Sequence, residues 1–366
     1  MIKVLNLFTT LDNGGVESFL YNYYSNMNHN LIHYDFIVPG FTKGFLEKRF
    51  ICMGSQVFHV PTLHQNAIKQ IYQIVKIIKN GEYDVIHCHG YKSSIGLLLG
   101  KILGVKVRIL HSHMSYEKHS LSQILIILFA KMFCTKKMAC GIDAACWLFG
   151  QSDYESGNVT VVNNAINVNK YLFDKSRRAK VRESLNLSDE FVIGHVGRLT
   201  YQKNQSFLID VTKKILNKIP SVRLIFVGNG EDFDILREKV IDMKISDEVK
   251  FLGTRSDIPD LLSAFDVFAF PSKFEGLPVV LVESQASGLI SLVSNYVTKE
   301  IKVSNNLRYL PLDIDLWVET LFNIYLNKQK NLNNRKLFGT KMVSGPYDIT
   351  SQVEYLMSIY QKEVSK

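Results

Sequence analysis

The sequence predicts an α/β protein built from two doubly wound domains with parallel sheets. Three observations point there. At 366 residues the chain is long enough for two cores. Short apolar runs alternate with helical patterns from end to end, as parallel strands joined by crossover helices require. A polar, strand-poor stretch, "INVNKYLFDKSRRAKVRESLNLSDE", separates two series of such runs and puts the linker near residues 168–188.

In the first series the strand candidates are "KVLNLF", "YDFIV", "QVFHV", "YDVIHC", "KVRILH" and "KKMAC". Between the third and fourth lies "HQNAIKQIYQIVKIIKNG", apolar at Ile68, Ile71, Ile74, Val75 and Ile78, close to helical spacing. The second series runs "FVIGHVG", "VRLIFVG", "VKFLG", "DVFAF" and "LISLVS". Its first helix carries Phe207, Val211, Ile215 and Ile219 four apart on one face. The final segment is amphipathic through Ile349, Val353, Leu356 and Tyr360 and is expected to pack back on the first domain. The domains are therefore set at 1–170 and 171–345, with 346–366 as the returning helix. Facing each other, two such domains would hold a ligand cleft between the carboxyl ends of their strands.

The apolar and charged fractions, 46% and 21%, are those of an ordinary soluble protein. "MIKVLNLFTT" is too short an apolar run for a targeting signal. "LSQILIILFAKMFC" is broken by Ser122, Gln123 and Lys131, short of the ~20 residues a span needs. It reads as a helix apolar all round because it is buried; the alternative is docking to an anionic membrane, helped by "CTKK". Five cysteines without metal-ligand spacing suggest reduced thiols in a cytoplasmic setting. Residues 1–170 hold 16 Lys/Arg against 10 Asp/Glu, which leaves 27 against 24 of the totals of 43 and 34. The basic excess thus sits in the first half. Without a basic stripe interleaved with aromatics, it favours an anionic membrane surface or a phosphate-bearing acceptor over nucleic acid.

Four stretches carry chemistry. "LFTTLDNGGVESFL" places Gly14 and Gly15 between a strand and a helix, where backbone can approach a ligand closely. "FVIGHVGRLTYQKNQ" places Arg198 at a strand end and Lys203 before a helix capped by Asn204. Two fixed cations there suit a diphosphate leaving group and can replace a metal. "VRLIFVGNGED" resembles the start of a dinucleotide fingerprint, but Phe233 stands where the third glycine belongs. A nicotinamide dinucleotide is therefore excluded, and the turn at Gly230 is left to border a nucleotide base. "KFEGLPVVLVE" puts Glu275 in a strand-to-helix loop and Glu283 on the helix, roughly 7 Å along its axis from Pro278. Free backbone N–H groups lie between them.

Four histidines, His87, His89, His111 and His113, fall at or just after strand ends in two H-x-H pairs. No acidic or cysteine partner accompanies them, so substrate contact by at least one is expected ahead of metal binding. The triplets "DFD" (232–234) and "DID" (313–315) open helical patterns and read as structural.

In combination these stretches resemble the retaining glycosyltransferases of family 4, which have the GT-B fold of two facing Rossmann-like domains. The resemblance covers nearly the whole chain. It rests on Gly14-Gly15, His113, "GRLTYQKN", "FVGNGE" and the Glu275/Glu283 pair with Gly276-Leu277-Pro278, in that order. "MACGIDAACWLFG" is similar to the capsular and exopolysaccharide branch. The resemblance implies that Arg198 and Lys203 hold the donor diphosphate, Glu283 the ribose hydroxyls and Glu275 the hydroxyls of the transferred sugar. Gly276, Leu277 and Pro278 would contact sugar and phosphates through their backbone. Gly14 and Gly15 would close over the phosphates, His113 would lie near the reacting sugar, and His89 is placed on the acceptor side. The implied donor is a nucleotide diphosphate sugar, most simply a UDP-sugar, and the acceptor a lipid-linked saccharide. No metal and no cofactor are expected. A UDP-sugar epimerase on the same fold and a catalytically silent sugar-nucleotide-binding subunit are the alternatives. The intact set of Arg198, Lys203, Glu275 and Glu283 argues against silence.

Overall fold

A computed structural model of the chain describes residues 1–8, 15–44, 46–114, 120–275 and 277–366. Gly14 and Gly276 lie outside the described residues. The chain divides into two compact units, Met1–Ala165 with Ile349–Lys366, and Ile166–Asp348.

The first unit runs β1 (Ile2–Leu7), α1 (Gly15–Tyr24), β2 (Ile32–Pro39), α2 (Glu47–Cys52), β3 (Val57–Val60), α3 (Leu63–Gly81), β4 (Val85–His89), α4 (Ile95–Ile102), β5 (Val107–Ser112), α5 (Leu121–Phe133), β6 (Lys136–Ala139), α6 (Ile142–Phe149), α7 (Gln151–Glu155) and β7 (Val159–Val161). Its parallel sheet has the order β3-β2-β1-β4-β5-β6-β7. The second unit runs α8 (Val168–Tyr171), α9 (Lys175–Ser184), β8 (Phe191–Val196), α10 (Gln205–Ile215), β9 (Val222–Val227), α11 (Phe233–Asp242), β10 (Val249–Phe251), α12 (Ile258–Ala264), β11 (Val267–Phe270), α13 (Val279–Ala286), β12 (Ser291–Ser294), β13 (Leu307–Leu310), α14 (Ile314–Leu326) and α15 (Lys328–Thr340). Its sheet, also parallel, has the order β10-β9-β8-β11-β12-β13. The last helix, α16 (Ile349–Val364), joins the first unit.

Strand order reverses between β1 and β4 in the first sheet and between β8 and β11 in the second. Side chains at the carboxyl ends of these pairs meet a crevice that the diverging crossovers leave open. Apolar side chains cover both faces of each sheet, so the central strands read as continuous runs, not as alternation. Ile349, Val353, Leu356 and Tyr360 of α16 are buried in the first unit's core, on the face that α1 also covers.

Three expectations need correction. The strands β7 and β13 have no counterpart in the sequence reading; with three and four residues at the sheet edges, they show no usable period. The strand-poor segment is not a loose linker. Its α9 docks Arg178 and Arg182 on the carbonyl oxygens that end α12 and on the Asp266 carboxylate, at 2.6–3.4 Å. Finally, α5 is not buried all round: Leu121, Leu125, Leu128 and Met132 are 83%, 68%, 56% and 66% exposed. Ile127 and Ala130 hold its other face to the core.

Candidate functional site

In the second unit the switch-point strands bring the predicted cation and carboxylate together. After β8 the chain turns through Gly197 and Arg198, and Lys203 follows a tight turn in which its N–H donates to the Thr200 carbonyl at 3.0 Å. After β11 the chain passes Pro271 and reaches Glu275. Lys203 Nζ donates to Glu275 Oε1 at 2.7 Å, across 72 residues of sequence. The two side chains are 17% and 7% exposed, so the charges attract in a medium less polar than water. The ammonium also lies 4.7 Å from the centroid of the Phe270 ring. Arg198 is exposed beside this pair in the chain.

The loop bearing Arg198 is held from behind. Gln205, in the first turn of α10, is buried and donates through Nε2 to the Arg198 carbonyl at 2.8 Å and to His195 Nε2 at 3.1 Å. His195 Nδ1 donates to the Ala269 carbonyl at 2.8 Å, and burial lowers its pKa to about 4, so the ring stays neutral. Asn204 does not cap α10 through its side chain as expected. It adopts a left-handed conformation, φ 57°, and its amide donates to the Pro271 carbonyl, tying the Lys203 turn to the β11 loop. The turn at Gly228–Gly230 packs backbone against backbone on the Arg198 loop: Leu199 N–H donates to the Asn229 carbonyl at 3.0 Å. A Cβ on Gly230 would come 2.1 Å from the Leu199 carbonyl oxygen. This close approach is reason enough for that glycine.

Pro278 serves as N-cap of α13, one position before the first turn where the sequence puts it, and Leu277 precedes it half-buried. Glu283, on α13, is half-buried and accepts a hydrogen bond from Tyr171 O–H at 2.7 Å. Burial lifts its carboxyl from the usual 4.5 to about 7, partly offset by that hydrogen bond, while the Tyr171 phenol is pushed up. Tyr171 is the site residue that sequence reasoning misses. It lies 112 residues away on the one-turn helix α8, and no local pattern marks it. Asp313 caps α14 through the Leu316 N–H, and Asp232 stands at the N-cap of α11, so both acidic triplets are helix starts.

In the first unit β4 and β5 lie side by side, His89 in register with His111. Alternation puts His87 and His89 on one face of β4, and His111 and His113 beside them. His87 Nε2 lies 3.1 Å from His111 Nδ1, and His89 Nδ1 lies 3.0 Å from His113 Nε2. His87 Nδ1 meets Tyr360 O–H at 2.8 Å, and that hydroxyl meets Tyr34 O–H at 2.8 Å. Burial holds all four rings neutral, His87 and His113 at about 3. His87, His89 and His111 present nitrogens within 4.8 Å of one another, a spacing that a metal ion could gather. A cation there would have to break the hydrogen bonds that engage these rings, with no carboxylate in the group to offset its charge. Gly15 opens α1 after the undescribed segment 9–14.

Two family models match the chain. Residues 13–170 match the family Glycosyltransferase Family 4, and residues 176–306 match Glycosyl transferases group 1. EpsF of Bacillus subtilis (strain 168), described only as a glycosyltransferase, is 28% identical over 379 residues, covering 100% of this chain and 97% of that protein. The UDP-Gal:alpha-D-GlcNAc-diphosphoundecaprenol alpha-1,3-galactosyltransferase of Escherichia coli is 28% identical over 324 residues, 83% of each chain. Among solved structures, Anabaena Alr3699/HepE in complex with UDP superposes with a TM-score of 0.83 at 21% identity, covering 99% of this chain and 100% of that one.

Proposed function

Because the chain belongs to the glycosyltransferases of the GT-B fold whose two halves these families describe, we propose a specific reaction for it. It is a retaining, metal-independent transfer of a sugar from a UDP-sugar to a lipid-linked saccharide in surface polysaccharide synthesis. The observation that carries this reading is the Lys203–Glu275 pair at the switch point of the second sheet, with Glu283 about one turn into the helix that follows. The relatives support the substrate classes: one is named for a UDP-sugar donor and a diphosphoundecaprenol-linked acceptor, and CapH of Staphylococcus aureus for capsular polysaccharide biosynthesis.

In this mechanism Arg198 and Lys203 bind the diphosphate and stabilise the charge that develops as the sugar C1–O bond breaks. Glu283 accepts from the ribose hydroxyls and Glu275 from a hydroxyl of the transferred sugar. The backbone at 276–278 supports sugar and phosphates; Gly230 lies by the base. The roles proposed for Gly14 and Gly15 (donor phosphates), His113 (reacting sugar) and His89 (acceptor side) rest on the family resemblance alone. The acceptor oxygen bonds C1 on the face the leaving group vacates, and its proton passes to a diphosphate oxygen. No covalent enzyme intermediate forms, and fixed cations replace a metal.

A lipid-linked acceptor calls for a membrane surface. Among the described residues no helix is long and apolar enough to span one. The exposed stripe on α5 fits a peripheral contact instead. Residues 86–142 around it hold eight Lys/Arg against one acid, most of the chain's net charge of +9. Exposed Lys101 lies on α4, which packs against α5, and its ammonium reaches to 5.3 Å from the Phe133 ring centroid. The proposed location is the cytoplasmic face of an anionic membrane.

The deciding experiment is UDP release from a panel of UDP-sugars, with and without EDTA and a lipid-linked saccharide extract, on wild type and Glu275→Ala. Release from one sugar that is EDTA-resistant, acceptor-dependent and lost in Glu275→Ala is expected. Free sugar or an epimer without acceptor, or no UDP binding at all, would overturn the reading.

A further inference from the structure

The histidine pair nearest the β4 and β5 ends has its proton positions dictated from one side. Asn6, buried on β1, donates through Nδ2 to the Asp35 carbonyl at 3.4 Å, which turns its Oδ1 toward His89 Nε2 at 3.2 Å. An amide oxygen can only accept, so His89 Nε2 carries the proton. A neutral imidazole has one N–H, so His89 Nδ1 is a bare lone pair. His113 Nε2, 3.0 Å away, must then be the donor. His113 is left with a bare Nδ1, buried and without a partner among the described residues. The His87–His111 pair does not enter this chain of bonds, since its ends go to Tyr360 and to an unpartnered His111 Nε2.

We propose that Asn6 and His89 are positioning residues that lock His113 as its Nε2–H tautomer and so reserve its Nδ1 lone pair for a substrate hydroxyl. The opposite tautomer of His113 would set two lone pairs against each other at 3.0 Å and present an N–H to the ligand instead. A buried acceptor without a donor is a cost that native structures seldom leave standing, and an incoming hydroxyl removes it. That the hydroxyl belongs to a sugar rests on the transferase reading above; the tautomer does not. Loading of the locked His113 orients one sugar hydroxyl and discriminates against donors that lack it, since a missing hydroxyl leaves the lone pair unpaired.

The test is long-range proton–nitrogen correlation on the full-length protein labelled with 15N-histidine, near neutral pH, with His113→Gln to assign the His113 signals. Wild type is expected to show His113 protonated at Nε2 and bare at Nδ1. Asn6→Leu, which removes the oxygen acceptor, yields a mixture of tautomers. In turnover assays Asn6→Leu lowers kcat about tenfold, with UDP affinity unchanged. Should Asn6→Leu fail to fold, His89→Phe tests the same link. Wild-type His113 protonated at Nδ1, or a folded Asn6→Leu protein with an unaltered pattern, overturns the proposal. The expected tautomer in a protein that turns over no nucleotide-sugar supports the relay and strikes only at the transferase reading.

Discussion

Replacing Glu283 by Gln should stabilise the protein above pH 7 while weakening its hold on UDP. Burial raises this carboxyl from 4.5 to about 7. A carboxyl raised on folding keeps its proton in the native state at pH values where the unfolded chain has lost it. Between about pH 4.5 and 7 the native state therefore binds more protons, and stability falls as pH rises through that window. Roughly 2.5 pH units at about 1.4 kcal/mol each would come to about 3.4 kcal/mol. The side chain is only half-buried, and solvent screening brings the figure nearer 2 kcal/mol. Glutamine keeps the shape and an acceptor for Tyr171 without the charge. Thermal unfolding of both proteins should coincide near pH 5 and diverge by pH 8.5, with the variant melting roughly 4–8 °C higher in the second unit's transition. Calorimetric titration with UDP should show wild-type affinity rising through about pH 7 as the carboxylate forms, and a variant about tenfold weaker and flat. Melting curves that stay parallel across the range would refute the claim that Glu283 is a destabilised, proton-retaining carboxyl.

The remaining expectations concern the ion pair, the loop contact and the exposed helix. Glu275→Gln should bind UDP as tightly as wild type or better, because Lys203 no longer has a competing carboxylate, yet lose at least about a hundredfold in sugar transfer; UDP titration and turnover read the two effects separately. Lys203→Met, by leaving Glu275 buried and unpaired, should lower stability by about 1–3 kcal/mol and weaken UDP; equal melting temperatures would count against the pair. Gly228→Ala should cost about 3 kcal/mol or more, since φ is +132° and a Cβ would sit 2.1 Å from the Gly197 carbonyl oxygen. Gly253→Ala, whose Cβ at φ +64° would make only an ordinary 3.7 Å contact with Asn229 Oδ1, should cost only about 1 kcal/mol; chemical denaturation compares them. Leu125→Asp with Leu128→Asp should abolish flotation with anionic vesicles without lowering the melting temperature, because neither side chain enters the core.

What the sequence made legible follows from how each signal is carried. Strands such as "VRLIFV" and "FVIGHV" are buried on both faces, and a run of that kind announces itself without partners. Arg198, Lys203 and Glu275 stand out in the sequence because each lies between a strand end and a helix start, where the boundary has local punctuation; the 2.7 Å pairing of Lys203 with Glu275 is not in that signal. The α5 helix misled because its apolar residues continue all round, so no amphipathic stripe separates a core face from a surface face. Only the packing of Ile127 and Ala130 inward decides which residues stay exposed. Tyr171 and Asn6 were invisible for a different reason. Their chemistry comes from one hydrogen bond to a residue 112 or 83 positions away, and nothing in their own neighbourhoods reports it.

Both carboxylates assigned to hydroxyl recognition are occupied by internal donors: Lys203 on Glu275, Tyr171 on Glu283, each at 2.7 Å. A free monosaccharide would have to displace an ammonium from Glu275, exchanging a charge-assisted bond for a neutral one, and should lose. Free UDP offers Lys203 a better anion but leaves Glu275 buried without a counter-charge, which opposes binding. Under the proposed roles, a ligand carrying diphosphate and sugar together would serve both groups at once: the ammonium would turn to the phosphates, and the freed carboxylate would accept from the sugar hydroxyl. Under the proposed roles, discrimination for the intact donor over its hydrolysis products would follow from the resting ion pair. Under those roles the intact donor meets less of this cost than either fragment, because the phosphates take the ammonium and the sugar hydroxyl replaces its hydrogen bond to Glu275.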